Sequence, residues 1–249
     1  MDALATYALR LGDDSLILGQ RLSEWCGHAP ALEVDLSLAN VALDQIGQAT
    51  HFLGLAGELE GKGRDADALA FRRDVMDFTN CLLVEQPNGD FAQTIARQFL
   101  FSHYQALLFA ALAAAKDERF AAIAAKALKE VTYHATLASD WVVRLGDGTE
   151  ESKQRMSAGL DWMWRFADEL FEMDDIDAAA IAAGVGVEKV ALRPAWDSRV
   201  DAVLADATLE RPASRRPVIG GRAGRHSEHL GHLLSEMQFL QRAYPGATW

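Results

Sequence analysis

Residues 120–141 read FAAIAAKALKEVTYHATLASDW, and Phe120, Ala124, Ala127, Val131, His134, Ala138 and Trp141 recur at steps of three and four. That spacing is the 3.6-residue period of an amphipathic helix, not the alternation of a strand. The helix begins near Asp117 and ends at LGDGT, around residue 146. Three more long helices precede it. The first spans about 2–26 and ends at GHAP; the second spans about 33–60 and is closed by the glycines of GKG. The third follows QPNGD, with Asp90 as its N-cap, and runs to about 115. Shorter helices are predicted over about 65–77, 149–172, 175–183, 188–206 and 226–242. Between the last two, the prolines and glycines of TLERPASRRPVIGGRAGR forbid a regular element. No sustained alternating run of β-branched residues occurs, so the chain reads as all-α. Four helices of this length suggest a ferritin-like four-helix bundle with additional C-terminal helices. The simplest organisation is one domain over 1–249, with a core bundle at about 2–146 and a helical extension at about 149–249.

Composition sets outer limits. With 249 residues, half of them hydrophobic, the chain is long enough to bury a sizeable core. A net charge of -12 argues against nucleic-acid binding, because phosphate contacts need a basic surface. Cys26 and Cys81 lie far apart without a CxxC, giving neither a disulfide framework nor a thiolate zinc site; both are expected to be small buried apolar groups. The N-terminal stretch is broken by Arg10, Asp13 and Asp14 before a signal-peptide core could form, and the longest apolar run, ALLFAALAAA, is half a membrane span. A soluble, cytoplasmic protein with no membrane contact is expected.

The predicted inward stripes share one property. On the first helix the stripe is Leu4, Ala8, Leu11, Ser15, Leu18, Leu22 and Trp25; on the second it is Leu38, Val41, Gln45, Gln48, Phe52 and Leu55. The third gives Phe91, Ile95, Phe99, Ser102, Ala106 and Phe109. Each is apolar except near its middle, where Ser15, Gln45 with Gln48, Ser102 and His134 fall at comparable heights. Di-iron bundles place their ligands there, using Glu-x-x-His motifs and several carboxylates that neutralise the metals. The residues three before the seven histidines are Trp25, Gln48, Leu100, Val131, Ala223, His226 and His229, so no ExxH exists. The structural reading makes Gln45 and Gln48 satisfy one another or Ser102, with His134 a neutral, hydrogen-bonded core histidine. Its competitor is an independent di-metal oxidase with atypical ligands drawn from Asp44, Glu130 and His134, since i and i+4 share a helix face.

Over nearly its whole length the chain resembles the smaller, PaaC-type ferritin-like subunit of the bacterial multicomponent phenylacetyl-CoA epoxidases, which are ring-oxygenating monooxygenases. The likeness is carried by LRLGDDSLILGQRLSEWCGHAP, LLVEQPNGDFAQTIARQ, IAAKALKEVTYH and HSEHLGHLLSEMQFLQRAYPG, with Trp249 ending the chain. The resemblance implies a non-catalytic structural subunit of a complex acting in aerobic phenylacetate degradation. It implies a homologous catalytic partner that holds the di-iron centre, other complex subunits including a reductase, and no cofactor in this chain. The catalytic subunit's DEAGH is similar to DQIGQ here, so its glutamate ligand falls on Gln45 and its histidine ligand on Gln48. Its EESFH is similar to EVTYH, placing a glutamate ligand on Val131 and leaving His134. The acidic ligands of its first and third helices fall on Ser15 and Ser102. On this likeness KEVTYH is a vacated metal motif, and the chain carries neither a catalytic residue nor a metal ligand.

Three surface features remain. Trp162, Trp164, Phe166, Leu170 and Phe171 crowd LDWMWRFADELF, a candidate partner face or simply core. Arg211, Arg215, Arg216, Arg222 and Arg225 form one basic island in an acidic chain; they suit an acidic partner, the phosphates of a coenzyme A thioester, which would make the chain a thioester-binding module, or a solvated loop with local salt bridges. The glycines around them lack Walker or dinucleotide spacing. His226, His229 and His232 step by three and drift around a helix with no cysteine nearby, a poor zinc site.

Overall fold

The structure, a computed structural model, describes residues 2–213 and 216–247, so Arg215 and Trp249 lie outside the described residues. It is all-α: the described residues contain helices and no strand, in line with the all-α, ferritin-like class. The chain divides into two compact units, one of residues 1–86 and 220–249 and the other of 87–219. The predicted C-terminal extension is therefore shared between them.

The first unit is built on α1 (Ala3–Ser23) and α2 (Leu32–Glu60). Asp2 caps α1 by accepting from the Leu4 amide, and Gly61, at φ 68°, ends α2 in a left-handed conformation that glycine adopts without steric penalty. Two glycines set the spacing of the pair. A Cβ on Gly12 would stand 2.7 Å from a Leu53 methyl carbon, and one on Gly19 would stand 3.0 Å from Ile46 and 3.2 Å from the Ala42 carbonyl. As α1 advances its neighbours on α2 recede in sequence, so the helices are antiparallel and in close contact.

Four expectations in this unit are corrected. α1 ends at Ser23, because Trp25 and Cys26 fold back onto the Leu22 and Ser23 carbonyls ahead of Gly27; Cys26 is exposed, and only Cys81 is buried. The helix predicted over 65–77 is α3 (Ala66–Phe71) followed by a 3₁₀ turn at Val75–Asp77, because Asp74 and Asp77 form a capping box that starts a new element. α4 (Leu82–Glu85) was not expected. The helix predicted over 226–242 is α10 (Glu228–Met237) and α11 (Phe239–Ala243), broken where the buried Gln238 amide donates to the carbonyls of Ala70 (2.9 Å) and Arg73 (3.0 Å).

The second unit holds α5 (Phe91–Leu112), α6 (Glu118–Gly146), α7 (Glu150–Trp164), α8 (Asp175–Ala182) and α9 (Lys189–Asp206). Asp90, Asp117 and Thr149 cap α5, α6 and α7 through their side chains. Trp196 is fully buried, and its indole N–H donates to the Leu100 carbonyl at 3.0 Å. The rings of Trp164 and Phe171 stand 5.7 and 5.4 Å from it. Most of LDWMWRFADELF is thus internal to this unit, in a helix that gives way to a 3₁₀ turn at Asp168–Phe171 instead of running to 172; Trp162 alone of the five apolar residues singled out is exposed. No helix of the described residues is long and apolar enough to cross a membrane.

Candidate functional site: a neutral interior and a buried ionic network

The expected polar positions all fall on buried helix faces. In the first unit α1 buries Ser15 and α2 buries Gln45 and Gln48; in the second α5 buries Ser102 and α6 buries Val131 and His134, each 0 to 2% exposed. Ser102 accepts a hydrogen bond at 2.7 Å from Gln98, one turn earlier on α5. Gln98 escaped the sequence reading because it lies off the apolar stripe, although the i, i+4 spacing was there to find. Asp44 and Glu130, the carboxylates of the alternative metal site, are half-buried. Among the described residues no group of three His, Cys, Asp or Glu side chains is placed to hold a metal ion. In the first unit these positions offer one hydroxyl and two carboxamides, and in the second one hydroxyl, one imidazole and one isopropyl group. Hydroxyls and carboxamides bring no charge, whereas a pair of iron ions needs carboxylates as hard donors and as neutralising charge. Taken unit by unit, neither set of residues fits a di-iron group.

Charge is concentrated elsewhere, on a face of α1 where Arg10, Asp13, Asp14 and Arg21 are all buried. Asp13 accepts from both terminal nitrogens of Arg73 and from the amide and hydroxyl of Thr79 at 2.8 and 2.9 Å. Asp14 accepts from the Cys81 amide at 2.7 Å and receives Arg222 through both terminal nitrogens, at 3.0 and 2.7 Å. Arg21 pairs with Glu24 at 2.8 Å and donates to the Glu85 carbonyl through Nε and Nη2 (3.1 and 3.0 Å) and to the His229 carbonyl at 3.1 Å. A buried charge is tolerated when it is paired and its remaining valences are hydrogen-bonded, and Asp13, Asp14 and Arg21 meet that condition.

Glu85 is the second centre of this network and is fully buried. One of its oxygens accepts from the Ser227 amide and hydroxyl (2.7 and 2.8 Å), the other from Asn80 (2.9 Å) and His226 Nδ1 (2.7 Å). His226 Nε2 lies 2.8 Å from the Phe78 carbonyl. A carboxylate and a carbonyl only accept, so both ring nitrogens carry protons and the ring is an imidazolium. Burial opposes that charge, but the hydrogen bond and attraction of Glu85 outweigh it and hold the His226 pKa above its ordinary value.

The arginine island is thereby sorted. Arg222 is committed to Asp14, and Arg211, in the second unit, is committed to Asp197 and Asp201. Arg216, in the second unit, and Arg225, in the first, are exposed. Of the histidine triplet, His226 has both nitrogens occupied by Glu85 and Phe78, and His232 is exposed.

One further surface was not anticipated. On α2, Leu32, Leu36 and Leu43 are 71, 57 and 65% exposed. At 100° per residue they fall within about 40° of one another, on a face also holding Gly47 and Gly54. A Cβ on either glycine would meet nothing within 4 Å. The face is largely apolar, with Thr50 as a polar member, and the described residues leave it exposed.

Comparison with known proteins places these features. The whole chain, residues 1–249, matches the family described as phenylacetic acid catabolic protein. It is 51% identical over 249 residues, covering 100% of both chains, to the C subunit of the 1,2-phenylacetyl-CoA epoxidase of Escherichia coli (strain K12). The chain belongs to the phenylacetic acid catabolic protein family.

Proposed function

We propose that this chain is the non-catalytic supporting subunit of a cytoplasmic multicomponent oxygenase that epoxidises phenylacetyl-CoA, and that it stabilises a homologous catalytic subunit holding the di-iron centre. The observation that carries this reading is that Ser15, Gln45, Gln48, Ser102 and Val131, with His134, are buried and bring no carboxylate, and the resemblance aligns them with the catalytic subunit's ligands. The full-length likeness to a protein named as one of the subunits of a 1,2-phenylacetyl-CoA epoxidase supports the complex. The acidic, cysteine-poor composition suits the cytoplasm.

Neutral replacements also make physical sense, since carboxylates buried without a metal would repel one another or need protonation. In this reading the chain binds no cofactor, performs no step of the reaction and presents helical surface to its partner. The exposed leucines and bare glycines of α2 suit that role, because a contiguous apolar face on a folded chain favours association. A reductase and further subunits complete the assembly.

The test is co-expression with the catalytic subunit, followed by metal analysis of the complex and of this chain alone. Iron should follow the catalytic subunit, and leaving this chain out should make that subunit unstable or inactive. Stoichiometric iron on the isolated chain, lost in His134→Ala, or an active catalytic subunit made without this chain, would overturn the reading.

A further inference from the structure

The second unit contains a cleft of about 460 Å³ that none of the foregoing uses. It is walled by α5 and α6, with α9 contributing Arg199. The walls are short: Ala106 and Ala110 from α5 face Leu128 and Ala135 from α6, so the space comes from missing side-chain volume on both helices. A volume of that order suits a small organic molecule and exceeds what a bare inorganic ion fills.

Four polar residues decide the chemistry. His103 Nε2 lies 2.9 Å from Ser139 Oγ, and the Ser139 hydroxyl donates to the Ala135 carbonyl at 2.7 Å. The hydroxyl proton is therefore spent, and the imidazole donates through Nε2–H. Burial and then the nearby charge of Arg199 keep His103 neutral, with its pKa lowered to about 4. His103 thus adds no charge of its own at neutral pH. Arg199 is exposed and, among the described residues, forms no hydrogen bond or ion pair. Its guanidinium is the cation of the cleft, and a planar fork of donors matches a carboxylate. Asp140, also on the lining, is not bridged to Arg199; its negative charge disfavours a doubly charged guest such as a phosphate monoester.

From this arrangement we propose that the cleft between α5, α6 and α9 binds a small monocarboxylic acid with an aryl or short alkyl body, its carboxylate on Arg199 and its body against Ala106, Ala110, Leu128 and Ala135. The inference is independent of the supporting-subunit reading, because it concerns a surface of this chain that the vacated positions do not line.

The test is calorimetric titration of the full chain with benzoate and with hexanoate, using benzamide as the uncharged analogue and inorganic phosphate as the bare anion. Saturable one-to-one binding of at least one acid is expected, with Arg199→Gln weakening it roughly tenfold, a loss of about 1.4 kcal/mol. Benzamide should bind Arg199→Gln and the parent chain equally. Ala110→Phe, which fills the cleft from an exposed position, should abolish binding of the acids and the amide, and phosphate should show no saturable uptake. Both variants lie on the surface, and an unchanged thermal midpoint verifies their folding. The proposal is overturned if neither acid saturates below ~10 mM, if Arg199→Gln or Ala110→Phe binds the acids as the parent does, or if phosphate binds as tightly as the acids.

Discussion

Arg222 closes on Asp14 with both terminal nitrogens, at 3.0 and 2.7 Å, although 208 positions separate the two residues. The same arginine donates to the Thr79 carbonyl at 2.9 Å, so one side chain ties the C-terminal segment to α1 and to the extended stretch before α4. Removing one partner of a buried pair strands the other charge. Arg222→Ala is expected to lower the stability of the chain by about 3 kcal/mol, measured by urea unfolding. Arg225→Ala, three residues on and exposed, should stay within about 0.5 kcal/mol of the parent. Equal effects would show that the loop is held by its backbone and not by this ion pair.

A pH dependence follows from His226. Its folded pKa is raised above the ordinary value of 6.5, so the folded chain retains a proton that the unfolded chain releases. The stabilisation is complete below 6.5 and is lost as pH rises through the folded pKa. Urea midpoints should therefore fall as pH is raised above 6.5, and His226→Gln should flatten that slope while lowering stability at every pH. A variant with the parent's slope would place the dependence on another group.

His103 acts in the opposite direction. Its pKa, lowered from 6.5 to about 4 chiefly by burial and then by Arg199, means that the unfolded chain takes up a proton first as pH falls. Stability should decline between pH 6.5 and 4 by up to roughly 3 kcal/mol from this residue. His103→Gln should lose that part of the acid sensitivity, as read from unfolding midpoints across the same range.

The apolar face of α2 gives a prediction for assembly. Leu36→Asp with Leu43→Asp should leave the circular dichroism and thermal midpoint of the isolated chain close to the parent's, because both positions are exposed. Under the supporting-subunit reading, the same pair should abolish co-purification with the catalytic subunit. Undiminished co-purification would move the contact to another face.

Much of this was legible in the sequence. The stripes through Ser15, Gln48, Ser102 and His134 are buried as the apolar period requires, except at the end residues Leu4, Trp25, Phe91 and Trp141, which are half-buried, and Asp90 and Asp117 cap the helices they precede. The misses share a cause. Asp13 and Asp14 look like ordinary solvated charges in the sequence, because nothing local marks residues whose partners lie far along the chain, 60 positions away at Arg73 and 208 at Arg222. Period analysis finds faces, not pairings. The same limit hid Glu85, whose four-residue helix is too short to leave a periodic signal, and the exposed leucines of α2, which an apolar count assigns to the interior.

The split of the first unit has a consequence for biosynthesis. Asp13 and Asp14 leave the ribosome before the second unit, residues 87–219, but Arg222 and His226 emerge only after the whole of it has been made. Until then one carboxylate of the opening helix waits without its arginine, and Glu85 without its imidazolium. The nascent chain can mature its middle before its beginning, and a chain cut short ahead of Arg222 leaves Asp14 on the first helix without that counterion.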